Sequence, residues 1–331
     1  MVEENITGTA TRSYQQQTLW NLYRSGIPIE SIAFQLDMSL EEVEKLIKKI
    51  GNEREQLAAK LALSGLNDAS MDLFYLDAVV NIDLAIKRAQ NSMWQALKSE
   101  STFDFSMEET YKILDKFAKS KVTLVILHID LVDSTKLSMT LPIERLTTII
   151  QAFTREVSLM IEAYGGYVLK YIGDAILAFF TVNIIDDPYL PCVNAINCAR
   201  SMIKVVQFGI NPILDQNGYP EMGVRIGIDF GDQNAVLQCG WDIIHLSDDN
   251  KHIHKQIMKV PYYDIVGYTI NVAVKMTAFA MPNHFVIGQM VYDALDEIQK
   301  SAFELLNVNN VVWNYINSKT GSIYCVYSNI T

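Results

Sequence analysis

The stretch VLKYIGDAILAFF, residues 168–180, limits the fold of this chain more than any other segment. Its two apolar runs are separated by Ile-Gly-Asp, a pattern that predicts two buried strands joined by a tight turn. Lys170 and Asp174 interrupt the apolar pattern. A charge beside a buried strand pair costs free energy unless it is ion-paired or binds a metal. The stretch is therefore a candidate functional site.

Strands and amphipathic helices alternate around this hairpin. KVTLVILHIDLV (121–132) predicts a buried strand, and residues 143–161 repeat apolar side chains at helical spacing. GVRIGIDF and NAVLQC predict two separate strands, followed by a polar insertion. This order is typical of an α/β sandwich and predicts one α+β domain over residues 121–331.

An all-α region is expected before this domain. Residues 13–50 predict three short helices, with Ser39 and Glu42 in the capping-box pattern. The pattern resembles a helix-turn-helix module over residues 1–50, whose second helix would enter the major groove of DNA. A small helical bundle for dimerisation or sensing is the alternative. Residues 1–50 contain five basic and seven acidic residues and so carry a net negative charge, whereas binding to the phosphates of DNA favours a net positive charge.

Residues 51–120 predict long helices. Apolar residues recur there at close to helical period, and the polar stretch at 99–109 predicts a break between two helices. We expect this region to act as a connector or dimerisation region between the other two parts of the chain.

Composition narrows the class of protein. The net charge of −11 argues against a generally basic nucleic-acid surface. The four cysteines form no CxxC pair, which favours a reduced, cytoplasmic setting. The first ten residues lack the pattern of a signal peptide, and no apolar run is long enough to span a bilayer. We therefore expect no membrane attachment.

Two carboxylates stand out because each ends or interrupts a predicted strand. Asp130 lies near the end of the first strand, and the hairpin turn would project Asp174 beside it. Two carboxylates in contact repel, so a shared divalent cation is their natural counterion, and such sites promote phosphoryl displacement. The alternative is that both are ordinary turn or capping acids.

Four segments in order make residues 121–331 resemble the class III adenylate/guanylate cyclase catalytic domain. They are HIDLVDSTKLS, LKYIGDAILAFF, VRIGIDFG and YYDIVGYTINVAVKM. The resemblance implies a ferredoxin-like βαββαβ sandwich. It also implies a phosphorus–oxygen lyase of the adenylate cyclase type, which would convert a nucleoside triphosphate, with ATP favoured, to a 3′,5′-cyclic nucleotide and pyrophosphate in signal transduction.

The same resemblance implies roles for individual residues. Asp130, Asp174 and the backbone carbonyl of Leu131 would hold two Mg²⁺ or Mn²⁺ ions per site. Lys170 and Asp264 match the pair that hydrogen-bonds adenine.

The remaining roles concern the ribose, the phosphates and the dimer. Asn271 would orient the ribose, and Arg225 would contact phosphate. Two catalytic domains would pack as a head-to-tail homodimer, with the metal ligands of each site from one chain and the base-binding residues from the other. The helices of residues 51–120 would adjust this dimer.

The chain departs from the family pattern at two points. Lys275 stands where the family places an arginine that neutralises charge on the α-phosphate, and an ammonium lacks the planar guanidinium fork. The C-terminal segment LLNVNNVVWNY also lacks the lysine that many members present to the triphosphate. Two alternatives remain open. One is a cyclase that prefers GTP or a pyrimidine nucleotide, and the other is a non-catalytic nucleotide-binding regulator coupled to a DNA-binding module.

Overall fold

The computed structural model describes most of the chain from residue 80 onward and part of the N-terminal region. The described residues are 19, 23, 29–35, 38–50, 52, 80–98, 105–182, 188–246, 256–309, 312–317 and 320–330.

The described helices fall into an N-terminal set and a set interleaved with the strands. In chain order they are α1 (Ile29–Gln35), α2 (40–50), α3 (Ile82–Lys98), α4 (Glu108–Lys116), α5 (Ser134–Thr140), α6 (Ile143–Ala163), α7 (Tyr189–Lys204), α8 (Asn211–Gln216), α9 (Tyr268–Met276), α10 (Gln289–Ala294) and α11 (Glu297–Lys300). A π-helical turn, Val205–Ile210, joins α7 to α8, and a 3-10 turn, Thr277–Phe279, follows α9.

The strands that the structure describes form one sheet of eight. They are β1 (Lys121–Val132), β2 (Tyr167–Ile172), β3 (Ala175–Thr181), β4 (Gly223–Leu246), β5 (Gln256–Gly267), β6 (His284–Gly288), β7 (Phe303–Leu305) and β8 (Val326–Asn329). Their order is β2-β3-β1-β4-β6-β8-β7, and β5 pairs with β4 beside this path. The order β2-β3-β1-β4, with helices between β1 and β2 and between β3 and β4, is the ferredoxin-like βαββαβ arrangement. The predicted α+β fold is confirmed.

One detail of the predicted sheet is wrong. GVRIGIDF and NAVLQC were expected to form separate strands before a polar insertion, but they belong to the single strand β4. This strand continues as far as Leu246 and pairs antiparallel with β5 down to the pair Leu246 with Gln256. Interstrand hydrogen bonds with the partner strand therefore hold both ends of the predicted polar insertion in strand conformation. A search for alternating apolar residues does not detect such hydrogen bonds.

The core occupies both faces of the sheet. Val125, Leu127 and Ile129 of β1 pack in a cluster beneath α3, α6 and α7, whereas Leu124 and Ile126 pack in a second cluster with residues of α4 and α9. Successive side chains of a strand point to opposite faces, so β1 contributes to both clusters. The central position of β1 fixes where its C-terminal end lies.

Helix α3 packs directly on the sheet domain. Ala85, Ala89 and Met93 are buried in the first cluster. Gly209 of the π-helical turn permits this contact, because a Cβ at that position would lie 2.9 Å from the Cβ of Ala89. On its other side, Leu84 of α3 packs against the small core of the N-terminal helices. Helix α3 therefore touches both parts of the chain.

The predicted capping box at the start of α2 is confirmed. The Ser39 N–H donates to Glu42 Oε2 at 3.0 Å, and the Glu42 N–H donates to Ser39 Oγ at 3.3 Å. Most of the first predicted helix, around Leu19 and Tyr23, lies outside the described residues. Among the helices the structure describes, none is long and apolar enough to cross a membrane.

Candidate functional site

Two carboxylates lie at one end of the β1–β3 strand pair. Asp130 is in β1, and Asp174 follows Gly173 in the turn between β2 and β3. Gly173 has a φ of 65°, a left-handed conformation that glycine adopts without strain. The last registered pair of β1 and β3 is Ile129 with Ile176, so each acid lies within two residues of that pair. The backbone brings both acids to the same end of these strands.

The two carboxylates differ in their partners. Arg225 lies opposite Asp130 in the β1–β4 register, and its Nη2 donates to Asp130 Oδ2 at 2.9 Å. Asp174 Oδ2 is buried and has no hydrogen-bond partner among the described residues. A buried carboxylate oxygen without a partner costs free energy unless a donor or a cation completes it. Asp174 therefore has unused capacity to bind a cation.

The oxygen atoms at this edge fit a hard divalent cation. Carboxylates and backbone carbonyls, such as those of Asp130, Asp174 and Leu131, are typical ligands of Mg²⁺ and Mn²⁺. Within the part of the chain that the structure describes, no group of three or more His, Cys, Asp or Glu side chains could hold a metal. An ion here would complete its coordination with water or phosphate oxygens, as Mg²⁺ usually does in proteins.

An open cavity of about 760 Å³ borders the same edge. Asp130, Leu131 and Arg225 line it, and so do residues at and just before the start of α5. The latter are Asp133, Ser134, Thr135 and Lys136. A volume of this size is in the range of small-molecule sites. The cavity therefore places the Asp130 and Asp133 carboxylates and the Arg225 guanidinium beside enough space for a nucleotide.

Lys170 of β2 and Asp264 of β5 form an ion pair within one chain. Lys170 Nζ lies 2.5 Å from Asp264 Oδ2, although β2 and β5 are not neighbours in the sheet. Asp264 Oδ1 accepts from the Ile265 N–H at 2.8 Å, which fixes the orientation of the carboxylate. The two side chains are 31% and 19% exposed, so a ligand can reach the pair from solvent.

Helix α9 presents Asn271 and Lys275 on one exposed face. They are four residues apart, about one helical turn, and both are exposed. The start of α9 is held close to β4 at Gly267, where a Cβ would lie 2.3 Å from Asn234 Oδ1. Lys275 Nζ donates to the hydroxyl of Tyr315 and lies 4.9 Å from the centroid of its ring.

No protein-family profile matches the chain, but three curated relatives match in sequence. Two proteins named cytidylate cyclase from Escherichia coli are 27% identical over 138 residues and 24% identical over 174 residues. These matches cover 41% and 52% of this chain, and 27% and 35% of the relatives. A cytidylate cyclase from Staphylococcus aureus is 24% identical over 187 residues, which is 56% of this chain and 40% of that protein. The chain thus spans between about a quarter and two fifths of the length of these relatives.

The chain resembles nucleotidyl cyclases. The resemblance to nucleotidyl cyclases that the sequence predicts is therefore confirmed, whereas the helix-turn-helix resemblance finds no support. Among solved structures, the adenylyl cyclase CyaB from P. aeruginosa has a TM-score of 0.47 at 19% sequence identity. The match covers 64% of this chain and 95% of the CyaB chain. The guanylyl cyclase Cya2 has a TM-score of 0.47 at 15% identity, with 64% and 93% covered.

The predicted site residues of this cyclase-like chain fall into separate groups. Asp130, Leu131 and Arg225 share the cavity lining, and Asp174 lies at the same strand end. The other predicted residues, Lys170, Asp264, Asn271 and Lys275, are not among those that line this cavity.

Sequence reasoning missed a buried acid of β4. Asp229 is fully buried, and the Tyr324 hydroxyl donates to its Oδ1 at 2.6 Å. Burial raises the pKa of Asp229 to about 8 and also raises the pKa of Tyr324. An acid inside the otherwise uncharged run IGIDF, residues 226–230, was the available signal, because an acid in a buried strand requires a partner. Tyr315, the partner of Lys275, was also missed, and no local sequence pattern points to it.

Proposed function

We propose that this protein is a nucleotidyl cyclase that converts a nucleoside triphosphate to its 3′,5′-cyclic nucleotide and pyrophosphate. The observation that carries the proposal is the placement of Asp130 and Asp174 at one strand end, with Asp174 Oδ2 buried and without a hydrogen-bond partner among the described residues. The cyclase-named relatives support this chemistry, since each of them matches about half of the chain.

The strand end that carries Asp130 and Asp174 would bind two divalent cations, Mg²⁺ or Mn²⁺, together with the triphosphate. Asp130, Asp174 and the carbonyl of Leu131 would be the protein ligands. When bound, such ions lower the pKa of the attacking 3′-hydroxyl and offset the negative charge that develops on the phosphates. Arg225 would turn from Asp130 towards a phosphate oxygen, since its guanidinium already lines the cavity.

Lys170 and Asp264 would select the base through the direction of their hydrogen bonds. A lysine ammonium only donates, and an ionised carboxylate only accepts. The edge of adenine offers a ring nitrogen that accepts and an amino group that donates, and the edge of cytosine does the same. Guanine and uracil present a ring N–H beside a carbonyl, which reverses this order. We therefore propose a base whose Watson–Crick edge places an accepting ring nitrogen beside an amino group, as adenine and cytosine do.

ATP is the first candidate substrate, since Lys170 and Asp264 match the pair expected for adenine. CTP is the second candidate, and a specific observation favours it: the three curated relatives are all named cytidylate cyclase. The donor and acceptor of Lys170 and Asp264 match adenine and cytosine equally. The size of the space around this pair would therefore decide between the two bases.

Each site would be shared between two chains of a homodimer. One chain would supply Asp130 and Asp174, and the other would supply Lys170, Asp264 and the exposed face of α9. This division is supported by the cavity lining, which includes Asp130 and Arg225 but none of the base-binding or α9 residues. Lys275, with its ammonium, would approach the α-phosphate across the interface.

The N-terminal parts would regulate the catalytic domain. We propose residues 1–50 as a helical module, 51–120 as a connector and 121–331 as the catalytic domain. The contacts of α3 with both the N-terminal core and the sheet domain support a connector.

Product identification tests the proposed function. The full-length protein is incubated separately with ATP, CTP, GTP and UTP, each with Mg²⁺ and with Mn²⁺, and the products are identified by mass spectrometry. We expect a cyclic product from ATP or CTP, its loss in Asp174→Asn, and its retention in Asp215→Asn, which makes the same chemical change at an exposed position on α8. Metal-dependent nucleotide binding without any cyclic product would instead support a non-catalytic regulator.

A further inference from the structure

We propose that Tyr315 is a positioning residue that holds the ammonium of Lys275 in place for catalysis. Lys275 Nζ donates to the Tyr315 hydroxyl, and the same ammonium lies 4.9 Å from the centroid of the tyrosine ring. The hydroxyl of one side chain therefore holds this ammonium. The inference rests on the proposed function, because it assigns to Lys275 the phosphate contact suggested above.

Tyr315 is itself firmly held. Its backbone carbonyl accepts from the Tyr324 N–H at 2.8 Å, and its ring meets the ring of Trp313 at 4.7 Å between centroids. Trp313 is buried, donates from Nε1 to the Tyr324 carbonyl at 2.7 Å, and packs edge-on against Phe279 at 5.4 Å. Phe279 belongs to the turn that follows α9. Tyr315 is thus fixed relative to the helix that carries Lys275.

A fixed partner matters more for a lysine than for an arginine. A lysine ammonium is a point charge on a flexible four-carbon stem, whereas the guanidinium of arginine is a rigid fork that binds an oxyanion with two parallel hydrogen bonds. An exposed lysine without a partner populates many rotamers, and ordering it costs conformational entropy. The Tyr315 hydroxyl takes one of three N–H donors and leaves two for an anion.

The position of Lys275 makes this ordering relevant to the reaction. Asn271 lies one helical turn away on the same exposed face of α9, so an anion between the two side chains could take donors from both. Tyr315 would thereby restrict the Lys275 side chain to conformations that reach the phosphate, without contacting the substrate itself.

The kinetic test is Tyr315→Phe, which keeps the ring and its packing but removes the hydroxyl. We expect kcat to fall by about threefold to tenfold with KM changed by less than about twofold, since one hydrogen bond to a charged group is lost. In a Lys275→Ala background the same change should have no effect on kcat. Equal losses in both backgrounds, or an unchanged kcat in Tyr315→Phe, would overturn the inference.

A second measurement does not depend on activity. The full-length protein is treated with an amine-acetylating reagent, and the rate at each lysine is followed by mass spectrometry. Acetylation of Lys275 should be faster in Tyr315→Phe than in the wild type, whereas exposed Lys136 should be acetylated at the same rate in both. If the wild type forms no cyclic product, the proposed function is wrong, and the acetylation rate alone then tests whether Tyr315 holds the Lys275 ammonium. An equal acetylation rate of Lys275 in the wild type and in Tyr315→Phe would refute that contact.

Discussion

Arg225 Nη2 lies 2.9 Å from Oδ2 of Asp130, the residue directly opposite it across the β1–β4 pair. Both side chains are about 30% exposed, so the ion pair is accessible from the cavity. An arginine beside a metal ligand opposes cation binding through charge repulsion, yet it can bind a phosphate that arrives with the metal. In the proposed site this pair would therefore couple metal binding to substrate binding.

Removing this guanidinium should have opposite effects on metal binding and on turnover. In Arg225→Gln we expect Mn²⁺ to bind more tightly without nucleotide, by about threefold to tenfold, because a nearby cation is gone. Turnover should fall because a phosphate contact is lost. Calorimetric titration with Mn²⁺ and a product assay check the two effects. Lys136→Gln removes a cation from the same cavity lining and should leave Mn²⁺ affinity nearly unchanged. Equal effects of the two variants on Mn²⁺ affinity would contradict the prediction that the ion pair of Arg225 with Asp130 weakens Mn²⁺ binding.

Reversing the hydrogen-bond order of Lys170 and Asp264, the proposed base-binding pair, should change the accepted base. In the double variant Lys170→Glu with Asp264→Asn, a carboxylate replaces the donor and an amide NH₂ replaces the acceptor. We expect activity on ATP or CTP to fall and relative activity on GTP or UTP to rise, a combined shift of about tenfold or more. Competition among the four triphosphates with product detection by mass spectrometry measures it. An unchanged base preference would show that the pair does not read the base.

Docking of α3 on the sheet domain should depend on a buried ion pair. Glu156 of α6 is 1% exposed and accepts from Arg88 Nε at 3.0 Å and from Arg155 Nη1 at 3.1 Å. In Glu156→Gln the cation of Arg88 loses its partner, and we expect a loss of about 2 to 3 kcal/mol in the free energy of unfolding. Hydrogen exchange should also become faster along residues 82–98.

Urea unfolding and amide hydrogen exchange check this prediction. Glu144→Gln makes the same change at an exposed position of α6 and should alter the unfolding free energy by less than about 0.5 kcal/mol. A destabilised Glu156→Gln protein with unchanged exchange in α3 would mean that the ion pair stabilises α6 without holding α3.

Much of the fold could be predicted because its determinants are local. The apolar runs of VLKYIGDAILAFF and the Gly-Asp pair between them specify β2, β3 and their turn. The Ser39–Glu42 pattern specifies the start of α2 for the same reason. In both cases the residues that interact lie within a few positions of one another.

The features that could not be predicted depend on contacts between distant segments. The apolar period of α3 shows that one face is buried but not that the sheet domain buries it. Lys275 and Tyr315 are 40 residues apart and meet only because Trp313 packs beside the turn after α9. The continuation of β4 through polar residues depends on its pairing with β5, which hydrophobic alternation does not encode.

The buried carboxylate of Asp229 should give the protein a specific dependence of stability on pH. Burial raises the pKa of Asp229 from 3.8 to about 8, so between these values the folded state keeps a proton that the unfolded state has lost. Its stabilising contribution is complete below about pH 4 and is lost as the pH rises towards 8. Each pH unit within this window costs up to about 1.4 kcal/mol.

The variant Asp229→Asn isolates this contribution because an amide does not ionise. We expect the free energy of unfolding in urea to fall more steeply between pH 5 and pH 8 for the wild type than for the variant. His128, whose pKa burial lowers, titrates in both proteins, so its contribution cancels in the difference. Asp232→Asn, an exposed position on β4, should follow the wild-type slope. Parallel curves for wild type and Asp229→Asn would mean that Asp229 is ionised in the folded protein, with a cation or donor on the Oδ2 that has no partner among the described residues.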